Sequence, residues 1–184
     1  MKIHSNIPGP AVGYLRRKFR LNYFVETGTC HGDTAELGAI TFDQVFTCEI
    51  DPALEAQARA RLSPYNNVLI RNMESPAFLK EVKSQISQPA LYWLDAHWCG
   101  GAVKPTWECP LLEELRAMGT LYGHSVLMID DVNLMVNPPP PPHNPDQWPS
   151  MDEVRAALEK WGEPLSTYLE HGPNSDVLVV VPKE

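Results

Sequence analysis

Short apolar runs alternate along this chain with segments in which apolar residues recur at helical spacing. The first run, "YFVET" (23–27), predicts a buried strand, and "DTAELGAITF" (33–42) predicts the helix after it. The alternation continues with strand "QVFTCEI" (44–50), helix "PALEAQARARL" (52–62), strand "NVLIR" (67–71), helix "PAFLKEVKSQI" (76–86) and strand "ALYWLD" (90–95). A helix at 110–122, a strand at 124–131 and a helix at 150–162 follow; "LSTYLEH" and "DVLVVVP" close the chain as two strands. Pro52 stands in the first turn of its helix, where a missing N–H costs little. Ser150 and Glu153 have the spacing of a capping box.

Strands separated by helices predict a parallel sheet with helices on both faces. The closing pair differs, because only "GPNS" joins it. A connection that short makes a hairpin, so the last strand runs antiparallel to its neighbour. The expected fold class is α/β: a doubly wound, mostly parallel seven-stranded sheet with an antiparallel C-terminal strand, forming one domain over residues 1–184. Residues 1–22 are expected to cap it, with "RRKFR" (16–20) as a solvated helix face. The Pro-rich stretch "NPPPPPHNPDQWP" (137–149) favours an extended conformation. It is either a stiff surface connection or, because it follows the fifth strand, a wall of the active site.

In such sheets ligands bind beyond the carboxyl ends of the strands. Glu26, Glu49, Asp95, Asp130 and Asp131 all fall at those ends and converge on one edge. The formal net charge of -8 argues against a nucleic-acid partner. No apolar stretch reaches the roughly 20 residues of a membrane helix, so no membrane partner is expected. The N-terminus lacks the apolar core of a secretion signal, and cytoplasmic residence is the expectation. Four scattered cysteines without a CxxC pair fit a reducing compartment better than a disulfide framework.

The turn after the first strand, "VETGTCHGDT", places Glu26, Gly28 and Gly32 as E-x-G-x-x-x-G. Glycines let a ligand approach the backbone, and the next helix offers its positive N-terminus. The tighter G-x-G-x-x-G turn and the Gly-Lys-Ser/Thr phosphate loop are absent, so the pattern suits a nucleoside carrying a carboxylate and an ammonium. Glu26 could meet the ammonium, and the turn's N–H groups the carboxylate. Glu49 stands where an acid accepts both ribose hydroxyls. That description fits S-adenosylmethionine. The candidate cofactor contacts are Glu26, Gly28, Thr29, Gly32, Glu49, Met73 from "RNMES", Asp95 and Trp98.

On these residues the chain resembles the class I S-adenosylmethionine-dependent methyltransferases. "VETGTCHGDT" is similar to their first motif, "FTCEID" to their second, and the terminal hairpin to their antiparallel seventh strand. "YWLDAHW" and "LMIDDV" resemble the metal-binding motifs of catechol-type and macrocin-type O-methyltransferases. The resemblance implies a Rossmann-like methyltransferase fold.

Asp95, Asp130 and Asp131 are the candidate metal ligands, and carboxylate oxygens suit a hard cation such as Mg²⁺. Adjacent strands would bring Asp95 and Asp130 within a few ångströms, where unpaired carboxylates repel. Alternatively, one of the paired aspartates simply caps the following turn. His97 and Asp95 are the candidate catalytic residues, His97 as a general base or else as a hydrogen-bonded structural histidine. Trp98 packs against the adenine, as the resemblance implies, or else within the core. The catechol-type enzymes carry a lysine base shortly after their aspartate motif; here "CGG" occupies that region and the nearest lysine is Lys104. His97, Cys99 and Cys109 lie close in sequence but lack the paired spacing of a zinc site. The function expected is methyl transfer from S-adenosylmethionine to a hydroxyl of a small molecule, sugar-like or phenolic. The alternative is a non-catalytic nucleoside-binding sensor or interaction module on the same fold.

Overall fold

Strand β1 (Tyr23–Thr27) lies in the middle of a seven-stranded sheet, and its side chains show how the layers form. Phe24 points into an apolar cluster on one face of the sheet and Val25 into a separate cluster on the other. That is the two-residue period of a strand covered on both sides. The computed structural model describes residues 6–172 and 176–183.

On the Phe24 face lie α1 (Gly9–Phe19), α2 (Asp33–Thr41) and α3 (Pro52–Leu62). They contribute Val12 and Leu15, Ala35 and Ala39, and Ala58 and Leu62 to the core. On the Val25 face lie α4 (Ser75–Lys83), α5 (Leu111–Met118), the short α6 (Val132–Val136) and α7 (Met151–Glu159). Their inner residues include Phe78, Leu115, Met135 and Val154. The other strands are β2 (Gln44–Glu49), β3 (Val68–Asn72), β4 (Ala90–Leu94), β5 (Val126–Ile129), β6 (Leu165–His171) and β7 (Asp176–Pro182).

The strand order is β3-β2-β1-β4-β5-β7-β6. β1 pairs in parallel with both β2 and β4, and β7 pairs antiparallel with both β5 and β6. The expected α/β architecture with one antiparallel strand is therefore present. The three residues 173–175 of the expected "GPNS" connection lie outside the described residues. The order reverses between β1 and β4, which is the switch point where open α/β sheets form their crevice.

Several boundaries differ from the sequence reading. The N-terminal cap contains a full helix, α1, whose Val12 and Leu15 are buried while Arg16, Arg17 and Lys18 close its last turn. The expected solvated face is thus one side of an amphipathic helix. α5 stops at Met118, because Gly119 adopts a left-handed conformation with its N–H on the Leu115 carbonyl. Phe42 leaves α2 for an extended conformation and stacks on Phe24 at 5.3 Å between ring centroids. The Ser150–Glu153 capping box and Pro52 at the start of α3 stand as expected.

Candidate functional site

Parallel register brings the strand ends into line. Thr27 stands opposite Cys48 on one side and Leu94 on the other, and Leu94 stands opposite Ile129. The residues just past these ends open into one cavity of about 610 Å³. Gly28, Thr29, Glu49, Met73, Asp95, His97, Trp98, Asp130 and Asp131 all line it. Asn6 from the N-terminal segment also reaches it.

The turn after β1 holds its shape through its own hydrogen bonds. Gly28 and Thr29 N–H both donate to the Cys48 carbonyl at 3.0 Å, and Gly32 N–H donates to Thr29 O at 2.8 Å. Cys30 N–H donates to Glu49 Oε2 at 2.8 Å. These four N–H groups are therefore engaged within the protein. The expectation that the turn's N–H groups bind a ligand carboxylate does not hold for them. Gly28 has a φ of +82°, and a Cβ there would drive into the Asp95 backbone carbonyl. Its glycine thus serves the close approach of the backbone just past the ends of β1 and β4. Gly32 does not line the cavity, and a Cβ there would meet Leu62 and Ala58 of α3.

Glu26 lies beneath the cavity rather than on its wall. Its carboxyl accepts from Thr47 Oγ1 at 2.5 Å, and Thr47 Oγ1 lies 2.5 Å from Thr29 Oγ1. Burial raises its pKa well above the ordinary carboxylate range, against the lowering effect of Thr47. In this arrangement Glu26 does not line the cavity; it ties the turn to β2. Glu49, unlike Glu26, lines the cavity. Besides Cys30 it accepts from Asp51 N–H at 2.9 Å, and a carboxylate retains acceptor sites beyond two such bonds.

Beyond β4 and β5, charges of both signs meet. His97 Nε2 lies 2.6 Å from Asp131 Oδ2 and 3.3 Å from Asp95 Oδ1. Burial works to lower the His97 pKa, but the hydrogen bonds and charges of Asp131 and Asp95 prevail and push it up to about 10. Asp130 also lines the cavity, but it does not join His97. Its Oδ1 accepts from Asn6 Nδ2 and, at 2.7 Å, from the Asp131 N–H. Asp131 itself has a left-handed backbone at the head of α6, and its side chain does not cap that helix. Among the described residues, three donors that could hold a metal ion converge: Asp95, His97 and Asp131, with ligand atoms within 4.8 Å of one another. Cys99 and Cys109 do not join this group.

Other participants went unread in the sequence. Glu114 of α5 is buried just under the site, and burial raises its pKa to about 7 despite hydrogen bonds from Ser75 and Thr27. One signal for it existed: Leu111, Glu114, Leu115 and Met118 share the buried face of α5. Glu108, fully buried, lies in the loop between β4 and α5, where periodicity offers no signal. The Pro-rich segment resolves the two readings of it. None of residues 137–149 lines the cavity, but His143 and Trp148 pack against Trp98 and His97 at 5.1 and 5.6 Å between ring centroids. The segment is thus a strap behind the cavity wall.

No family model matches the chain, and no curated protein matches it by sequence. Solved structures do resemble it. The O-methyltransferase TomG from Streptomyces achromogenes, in complex with S-adenosylmethionine, is 16% identical with a TM-score of 0.67. That likeness covers 96% of this chain and 79% of TomG. An O-methyltransferase from Bacillus cereus in complex with S-adenosylhomocysteine is 17% identical at a TM-score of 0.68, over 98% of this chain and 83% of the other. The Podospora anserina methyltransferase PaMTH1, also bound to S-adenosylhomocysteine, is 18% identical at 0.62, over 100% and 80%. At these identities the likeness is one of fold: the chain has the Rossmann-like architecture of S-adenosylmethionine-dependent methyltransferases.

Proposed function

We propose that this protein transfers the methyl group of S-adenosylmethionine to a hydroxyl of a small molecule, assisted by a divalent cation. The observation that carries the reading is one cavity, at the switch point of a methyltransferase fold, holding a diol-accepting carboxylate and a three-donor cluster together. Glu49, at the end of β2, accepts the ribose hydroxyls. Met73, just past β3, and Trp98, in the loop after β4, face the adenine, and both line the cavity. The methyl group passes in line from sulfonium to acceptor oxygen, so the protein's work is alignment and electrostatic support.

The donor set fits a cation. Two carboxylates supply the hard oxygens that Mg²⁺ prefers, and the His97 nitrogen extends the range toward Mn²⁺. Asp95, Asp131 and His97 would hold it, with Asp130 orienting Asp131 through its N–H. When bound, such a cation supplies a Lewis acid that favours the deprotonated acceptor oxygen. This reading gives His97 the role of a cation ligand in place of the expected general base. In the metal-free site, and against burial, Asp131 and Asp95 push the His97 pKa up to about 10; the imidazole would hold a cation in its neutral form, so that proton is displaced on binding.

Calorimetric titration of the protein with S-adenosylmethionine tests the core of this reading, and no binding would end it. Added EDTA should abolish transfer; unchanged activity would remove the cation from the mechanism. A second reading, a sensor that binds the nucleoside without transferring its methyl group, is favoured by the engagement of the nearest lysine, Lys104, with Glu108 at 2.9 Å. Tight cofactor binding with no transfer to a broad panel of hydroxylated acceptors would select it.

A further inference from the structure

Glu108 has no exposed surface, yet it stands in the irregular loop between β4 and α5, where an acid ordinarily faces water. Its carboxylate gathers partners from two directions. The Lys104 ammonium lies 2.9 Å from Oε1. From the strap, Asn144 N–H donates to Oε2 at 3.0 Å and Trp148 Nε1–H at 3.4 Å, and His143 Nδ1 lies 3.2 Å from the same oxygen. Its own N–H donates to Gln147 Oε1 at 3.0 Å. Lys104 above all holds its carboxyl down at about 2, against burial and with help from Asn144 and Trp148, so it is a carboxylate throughout the neutral range.

The same partners surround Trp98. The Glu108 carbonyl accepts from Trp98 N–H at 2.6 Å. Lys104 Nζ sits 5.0 Å from the Trp98 ring centroid, and the His143 ring packs edge-on to it at 5.1 Å. Trp98, Val103, Pro105 and Trp107 of this loop line the cavity, while Glu108 does not. A long loop without secondary structure is mobile unless something fastens it, and ordering it on ligand arrival costs affinity. Thr106 fastens the loop to Glu74 at the head of α4, with its N–H and Oγ1 at 3.0 and 2.7 Å from Glu74 Oε1. Glu108 fastens it on the strap side.

We propose that Glu108 is a positioning residue for cofactor binding: its buried carboxylate clasps the Pro-rich strap to the loop after β4 and so holds the Trp98 ring as a preformed wall for the nucleoside. The inference rests on the reading of the cavity as a nucleoside site. Without the clasp, the energy of binding goes partly into ordering Trp98.

The test is calorimetric titration with S-adenosylhomocysteine of the wild type, Glu108→Gln, Trp98→Ala and the double variant, each checked for a retained thermal transition. Glu108→Gln keeps the shape and removes the charge, and is expected to weaken binding about tenfold, the effect of losing a charged hydrogen-bond acceptor. Trp98→Ala should cost about as much, and the double variant little more than either, because both act through one ring. Met73→Ala, on the β3 side of the cavity, should instead add fully to Glu108→Gln. A merely structural Glu108 would not distinguish Trp98 from Met73. The inference is overturned if Glu108→Gln binds within twofold of the wild type, or if its effect adds fully to that of Trp98→Ala. Should Glu108→Gln not fold, Trp148→Phe removes the strap's Nε1–H bond to Glu108 while keeping an aromatic ring; a several-fold loss supports the inference and unchanged affinity overturns it. A wild type that does not bind the nucleoside sinks the cavity reading and this inference with it.

Discussion

The Nε2 of His97 lies 2.6 Å from the Asp131 carboxylate, bridging a loop after β4 to the head of α6. This pair, with Asp95 3.3 Å away, sets the charge balance of the site. An imidazolium between two carboxylates stabilises both ends only while it keeps its proton.

That requirement gives a pH signature in chelator-treated protein. The His97 pKa rises from an ordinary 6.5 to about 10 on folding. A raised pKa means the contribution is complete below about 6.5 and is lost as pH climbs through about 10. His97→Gln should therefore cost about 2 kcal/mol at pH 7, less than a fully buried pair because both side chains keep some exposure. Denaturant unfolding of both proteins from pH 7 to 11 should show the gap closing toward the top of that range. A gap independent of pH would contradict the ion pair.

Glu114 should act in a lower window. Burial raises its pKa from 4.5 to about 7. Its contribution is therefore complete below about 4.5 and disappears as pH rises to about 7, where the buried acid must ionise. Between pH 4.5 and 8 the wild type should lose on the order of 3 kcal/mol relative to Glu114→Gln. Parallel stability curves for the two proteins would show that Glu114 titrates normally.

Glu49→Ala should weaken S-adenosylhomocysteine binding about 100-fold, the loss of two hydrogen bonds to a charged acceptor. Glu49→Gln, which can still accept one of them, should fall between. Calorimetry reads both. Equal affinity in all three proteins would place the ribose elsewhere in the cavity.

Gly28→Ala should cost about 3 kcal/mol or more, because φ is +82° and the new methyl group meets the Asp95 carbonyl. Gly101→Ala, where nothing lies within 4 Å, should stay within about 0.5 kcal/mol. Thermal denaturation of the pair distinguishes a steric requirement from a general intolerance of the site loops. Similar transitions in both variants would count against the close approach of the Asp95 backbone as the reason for the glycine.

The sequence by itself determined the layers. Residues such as Phe24 and Val25 carry a two-residue period, the helices carry their own, and alternation of the two forces a parallel sheet with its acids at one edge. These are local properties, and local order suffices to write them. It could not show which partner each side chain takes. The Asp130 carboxylate meets Asn6 across 124 positions of chain, and Glu108 meets the strap across about forty, in loops that have no period to read. Tertiary structure decided that Glu26 is interior while Glu49 faces the cavity, and that Asp95 and Asp131 close around His97. Burial and neighbouring charge set those outcomes, and both exist only once distant segments are packed together.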